Sequence, residues 1–292
     1  MEAGMIDGFE RRRLPGHDIE IDALIGGSGP PLLLLHGAPQ TRVCWREVAT
    51  TLAAHFTIVL PDLRGYGRSD KPLGGGDFTA YSKRVLALDQ IASMRSLGFD
   101  HFNVAGHDRG GRVAYRLALD HPAAVRRLAV LDIVPTLDAM EGFDISGAFK
   151  FWHWTFLAQP EPMPERLIGG DPDAMFRTML HAHTRDGFAF EAANLADYLA
   201  CMSDPAAIHG ICEDYRSALY VDRHLDAQDR GRVKIEAPTL VLWGASTAAS
   251  KSTLEKWRAW ASDVRGEAFP CGHFLPEEEP VKTAAKLLEF FQ

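Results

Sequence analysis

The stretch VAGHDRGGR, residues 104–112, puts an aspartate in the turn between an apolar run and a helical pattern, then two arginines on the helix's first turn. Cations are disfavoured there, because the helix macrodipole is positive at its N-terminus. The arrangement needs either an anion nearby or a chemical purpose.

Working outward, PLLLLHG (31–37) and TIVLPD (57–62) are continuous apolar runs that end in turn residues, the pattern of buried parallel strands. FNVAG (102–106), VRRLAVLD (125–132), PTLVLWG (238–244) and VRGEAFPCGH (264–273) continue the set. IEIDALI (19–25) alternates with the two-residue period of a half-exposed strand. Helical patterns fall between them at residues 42–54, 81–97, 110–119, 252–260 and 281–290. The alternation predicts an α/β chain with a mostly parallel twisted sheet flanked by helices, and a site at the strands' carboxyl ends. The rhythm breaks at residues 136–234, which are rich in Trp, Phe, Met and His and carry helical patterns without buried strands. This segment reads as a helical cap inserted in a core of residues 1–135 and 235–292, roofing a pocket.

The chain has 292 residues, 46% of them hydrophobic, enough for one large core with an insertion. A net charge of −8 excludes a general nucleic-acid or anionic-membrane surface. The basic run Arg11–Arg13 is expected to be solvated surface. No run has the length of a membrane span, and the N-terminal residues lack a signal peptide's apolar segment, so a cytoplasmic protein is expected. The four cysteines, Cys44, Cys201, Cys212 and Cys271, form no CxxC pair and read as free thiols. His181 and His183 lack a third metal ligand nearby in sequence, so no metal is expected.

GxDxG between strand and helix is the frame of a nucleophile elbow, with Asp108 where serine is usual. The plain alternative is that Asp108 caps the helix beside it. Across nearly the whole chain, the order LLLLHGAP, LPDLRGYGRSD, AGHDRGGR, cap, TLVLWG, CGHF resembles the α/β-hydrolase fold. That resemblance implies His273 as catalytic base, and assigns His36 and His107 to structural turns. An acid often follows the penultimate strand in this fold, but WGASTAAS (243–250) has no carboxylate. Asp132, ending the strand after the nucleophile helix, takes that place, as in some dehalogenases of the fold. Its alternative is a turn cap. A carboxylate nucleophile displaces a leaving group from saturated carbon, and water activated by His273 then cleaves the ester. The backbone N–H groups of Ala38 and Arg109 would form the oxyanion hole.

Arg109 and Arg112 are three apart and share a helix face, where a substrate carboxylate between them would answer both charges. Salt bridges to the protein's own acids are the alternative. His153, Trp154 and Tyr215 are donors without counter-charge, suited to a departing halide. GHDRGGR, Asp132, HW, DYR and GHF together resemble the fluoroacetate dehalogenase group. The resemblance implies a triad of Asp108, His273 and Asp132, carboxylate binding by Arg109 and Arg112, and halide binding by His153, Trp154 and Tyr215. It also implies a homodimer, a small anionic organohalide and water as reactants, and no cofactor. Ala38 departs from the bulky Phe common after HG, which widens the expected pocket, and Tyr220 competes with Tyr215. The alternatives are an epoxide hydrolase, which usually uses two cap tyrosines although FKFWHWTFLAQP (149–160) contains none, and a non-catalytic binding protein.

Overall fold

The computed structural model describes residues 4–246 and 252–292. Eight strands, β1 (Phe9–Pro15), β2 (Glu20–Gly27), β3 (Pro31–Leu35), β4 (Thr57–Pro61), β5 (Phe102–His107), β6 (Val125–Leu131), β7 (Thr239–Gly244) and β8 (Val264–Phe269), build one sheet. Their order is β1-β2-β4-β3-β5-β6-β7-β8. The β1–β2 and β2–β4 pairs are antiparallel, and every pair from β4–β3 to β7–β8 is parallel.

The period of two in the parallel strands explains the two-sided core. Leu33 and Leu35 face a cluster with Val113 and Leu117, whereas Leu32 and Leu34 face Trp45, Leu287 and Phe290 on the other side. Each fully buried leucine contributes roughly 1.5–3 kcal/mol, so a continuous apolar run is stable only where helices cover both faces. The covering helices are α1 (Arg46–Leu52), α2 (Lys83–Ser96), α3 (Arg109–Asp120), α12 (Thr253–Trp260), α13 (Leu275–Glu278) and α14 (Pro280–Phe291). From β6 to β7 the chain is helical: α4 (Thr136–Glu141), α5 (Ile145–Lys150), α6 (Trp152–Leu157), α7 (Met163–Gly170), α8 (Pro172–His181), α9 (Ala192–Met202), α10 (Pro205–Ser217) and α11 (Arg223–Asp229).

Three expectations need correction or addition. Arg11–Arg13 is exposed, as expected, but belongs to the unanticipated edge strand β1, where Arg11 pairs with Asp22 and Arg13 with Glu20 and Asp70. With β1 outside it, β2 is not half-exposed: Ile21 to Leu24 are all buried, and Asp22 is neutralised by Arg42. The helix expected over 42–54 is a 3-10 turn, Arg42–Trp45, followed by α1.

Among the described residues, no helix is long and apolar enough to cross a membrane, and no group of three or more His, Cys, Asp or Glu could hold a metal ion. All four cysteines are free. Strand order reverses at β3, which has β4 on one side and β5 on the other. A crevice at the carboxyl ends of β3 and β5 follows from that reversal.

Candidate active site

β5 ends at His107, and Asp108 occupies the next position with φ 46° and ψ −117°. A non-glycine residue held there stores about 1–3 kcal/mol of strain, which the surrounding backbone must impose. A side chain on Gly106 would run into the Gly110 carbonyl, and one on Gly37 would lie 2.6 Å from Asp108 Cβ, so only glycines permit this elbow. Asp108 makes no capping bond to α3; instead its Oδ2 accepts from the Ala38 N–H at 3.0 Å. This contact disposes of the helix-cap alternative. Burial alone would push the Asp108 carboxyl up, but His273 foremost, with His107, Arg109 and Arg112, holds it at about 2. It is a bare carboxylate at neutral pH.

His273 lies after β8, and its Nδ1 is 2.6 Å from Asp132 Oδ2. Burial lowers the imidazole's affinity for a proton, and the Asp132 bond and charge more than reverse this, so its pKa is raised. Asp132 follows β6 at φ 52°, and its Oδ1 accepts the Gly244 N–H at 2.9 Å. The strand end that lacks a carboxylate of its own thus holds the one supplied by β6. Of WGASTAAS, residues 243–246 contain no acid, and residues 247–250 lie outside the described residues.

Asp108, Asp132 and His273 open into a cavity of about 610 Å³, whose walls include Ala38, Arg112, His153, Trp154, His183 and Tyr215. The Tyr215 ring lies 5.9 Å from both His153 and Trp154, between centroids. Tyr220 is half exposed and stacks on Phe78 at 5.0 Å, so only Tyr215 of the two lines the cavity. Burial lowers His153 to about 3, keeping it neutral, and raises the Tyr215 phenol, keeping it protonated.

The arginines are arranged differently from one another. Arg109 is fully buried behind the cavity wall, donating from Nε to Asp214 Oδ2 at 2.8 Å and from Nη2 to Asp214 Oδ1 at 3.0 Å. Its guanidinium carbon lies 4.2 Å from the Tyr215 ring centre. Arg112 donates to Val134 O and Thr136 Oγ1, and its guanidinium lies 4.7 Å from the Trp154 ring centre. Burial, and then the neighbouring Arg109, lower the Arg112 pKa. Arg109 Nη1 and Arg112 Nε are buried with no hydrogen-bond partner among the described residues. One arginine therefore has the internal counter-ion that was the alternative to substrate binding, while each retains an unused donor.

Asp214, adjacent to Tyr215 in DYR, is the counter-ion that sequence alone does not anticipate; an acid next to a cavity residue is its one local signal. His183, weighed only as a metal ligand, forms part of the wall 5.1 Å from His153 and 6.1 Å from His273, between ring centres. Burial lowers it to about 4. His36 and His107 are in buried turn networks, His36 accepting from the Leu63 N–H and His107 bonding the His273 carbonyl.

Residues 30–280 match the alpha/beta hydrolase fold family. The chain is 46% identical over 98% of its length to a fluoroacetate dehalogenase from Burkholderia sp, of which it covers 95%. It is 35% identical to a soluble epoxide hydrolase from Corynebacterium sp. (strain C12), with 91% of each chain covered. A crystal structure assigned to the alpha/beta hydrolases, from Nostoc sp PCC 7120, superposes with TM-score 0.95 at 46% identity, covering 98% of this chain and 99% of the other.

Proposed function

The chain belongs to the α/β-hydrolase fold family, and on that premise we propose that it hydrolyses carbon–halide bonds of small 2-haloacids. Haloacetate, fluoroacetate included, would give glycolate and halide through an ester on Asp108. Residues 136–234 act as the cap over a core of 1–135 and 235–292, and a homodimer is part of the same reading.

Asp108 Oδ2 is engaged by Ala38, so Oδ1 attacks the carbon and halide departs with the bonding electrons toward N–H and O–H donors of His153, Trp154 and Tyr215. Neutral donors suit this task because a fixed cation would retain the anion. Water then gives a proton to His273 while its oxygen attacks the Asp108 carboxyl carbon. The resulting oxyanion on Oδ2 already faces the Ala38 N–H, and the backbone N–H of Arg109, the first residue of α3, is the second donor in this reading. Collapse breaks the bond between the carboxyl carbon and Oδ1, and the leaving glycolate oxygen takes the proton held by His273; Arg112, which lines the cavity, pairs with the substrate carboxylate, and Arg109, buried behind the wall on Asp214, adds positive charge there.

The observation that carries this reading is the composition of the cavity wall. Tyr215 is its single tyrosine among the described residues, and its other donors include His153, Trp154, His183 and the cation Arg112. An epoxide needs two acids on one oxygen, whereas a haloacid needs a halide pocket and a cation for its carboxylate. Incubation with fluoroacetate, chloroacetate and an aryl epoxide, with halide and diol followed, tests it. Halide release that disappears in Asp108→Ala is expected; diol as the sole product would overturn the reading.

A further inference from the structure

A chain of hydrogen bonds reaches the backbone of His273 from the helical segment above it. Asn194 and Tyr198 on α9 donate to Glu277 Oε1 at 3.1 and 2.9 Å. Glu277 Oε2 meets the Gln40 side-chain amide at 2.5 Å, the other end of that amide meets His107 Nδ1 at 3.0 Å, and His107 Nε2 meets the His273 carbonyl at 2.9 Å. Gln40, His107 and Tyr198 are fully buried.

Two proton assignments satisfy every contact in this chain, one with His107 doubly protonated and Glu277 ionised, the other with His107 neutral and Glu277 protonated. A carbonyl only accepts, so His107 Nε2 carries a proton and donates to His273. Burial, and then His273, lower His107 to about 4, so the ring is neutral and Nδ1 is a bare acceptor. Gln40 must then turn its NH2 toward Nδ1, which aims its carbonyl at Glu277 Oε2. Two acceptors cannot face each other across 2.5 Å, and that separation, too short for an ordinary N–H···O bond, falls at the short end of the O–H···O range. Glu277 Oε2 must therefore carry a proton, leaving Oε1 to accept from Asn194 and Tyr198.

We propose that Glu277 is a positioning residue for His273, acting as a protonated carboxylic acid through Gln40 and His107. The groups facing it favour that state. They are Gln40, Asn194 and Tyr198, with the buried Cys44 thiol in the turn before α1 and Glu278 next in the chain, and none is a cation. Arg46 reaches Asn194 Oδ1 rather than Glu277. Burial raises the Glu277 carboxyl to about 7. Its ionisation forces Gln40 to turn back, which presents a carbonyl to His107 Nδ1 and costs the His273 carbonyl its donor or the imidazole its neutrality.

Glu277→Gln supplies a permanent NH2 where the acid has its O–H, so it mimics the protonated state at every pH. The test compares kcat/KM for chloroacetate in wild type and Glu277→Gln from pH 5.5 to 9. The variant-to-wild-type ratio is expected near one at pH 5.5–6 and about two- to tenfold higher above pH 8, the worth of one hydrogen bond. A ratio independent of pH would overturn the proposal. The inference rests on His273 being the base of the proposed reaction, so a second measurement on wild type needs no turnover and no variant. Nitrogen NMR of His107 should report the neutral Nε2–H tautomer with a hydrogen-bonded Nδ1 at pH 6, changing as pH passes about 7. An unchanging His107 signal across that range overturns the proposal even if haloacetate is hydrolysed. A changing signal without haloacetate turnover supports the protonated Glu277 and sinks the dehalogenase reading alone.

Discussion

At Asp108, burial and charge act in opposite directions, and charge prevails: His273, His107 and two arginines hold the carboxyl at about 2. The same residue is forced to a positive φ and denied a capping role, so neither its conformation nor its ionisation serves the helix it precedes. If it forms an ester, His273→Asn should leave that ester unhydrolysed, and intact-mass spectrometry after incubation with chloroacetate should show Asp108 carrying a carboxymethyl group. An unmodified variant alongside active wild type would exclude the two-step route. Asp108 stands out in sequence as a carboxylate where the elbow motif usually has serine, and Asp132 and His273 are singled out through the resemblance of the motifs around them. Gln40 and Glu277 are not, since a buried amide and one glutamate of three in PEEEP carry no local signal distinguishing them from surface polarity.

At the scale of elements, the unfavourable placement of Arg109 on the first turn of α3 is answered mainly from α10. Asp214 is fully buried between the Arg109 guanidinium and the Lys83 ammonium of α2, and it also accepts from the Tyr66 hydroxyl at 2.7 Å. Burial would raise its carboxyl, but Arg109 and then Lys83 hold it well below the usual carboxylate range. The pocket helix is thus clamped to α2 and α3 by one anion shared between two cations. Asp214→Ala leaves both cations buried without it, and should destabilise the fold by about 3–5 kcal/mol in urea unfolding; a loss below about 1 kcal/mol would show that the clamp is not structural. Local patterns named most of the sheet, because fully buried parallel strands have no polar face to obscure them. β1 is hidden in FERRRLP, an edge strand whose polar residues face solvent, and without that neighbour the alternation of β2 suggests half exposure.

For the whole molecule, the helical segment between β6 and β7 and the sheet are joined by buried charge as well as by apolar packing. The segment was legible from its loss of strand rhythm, but its docking was not, because the partners lie far apart in sequence: Asp197 with Thr41 and Arg68, Asp214 with Lys83 and Arg109, Tyr198 with Glu277. Glu277 makes one of these joints sensitive to pH. Its carboxyl titrates at about 7 in the folded chain against 4.5 ordinarily, so the folded state binds its proton more tightly than the unfolded state does. The stability this contributes is fully present below about pH 4.5 and is lost as pH rises through about 7. Glu277→Gln has no such proton to lose. Its stability relative to wild type should therefore increase between pH 4.5 and 7 and level off above, by about 2 kcal/mol at most for a residue with part of its surface open to water. Urea midpoints of the two proteins at pH 5 and pH 8 measure this directly: a gap of equal size at both pH values would mean that Glu277 is ionised throughout, and that α9 is held to the sheet by an ordinary carboxylate rather than by a retained proton.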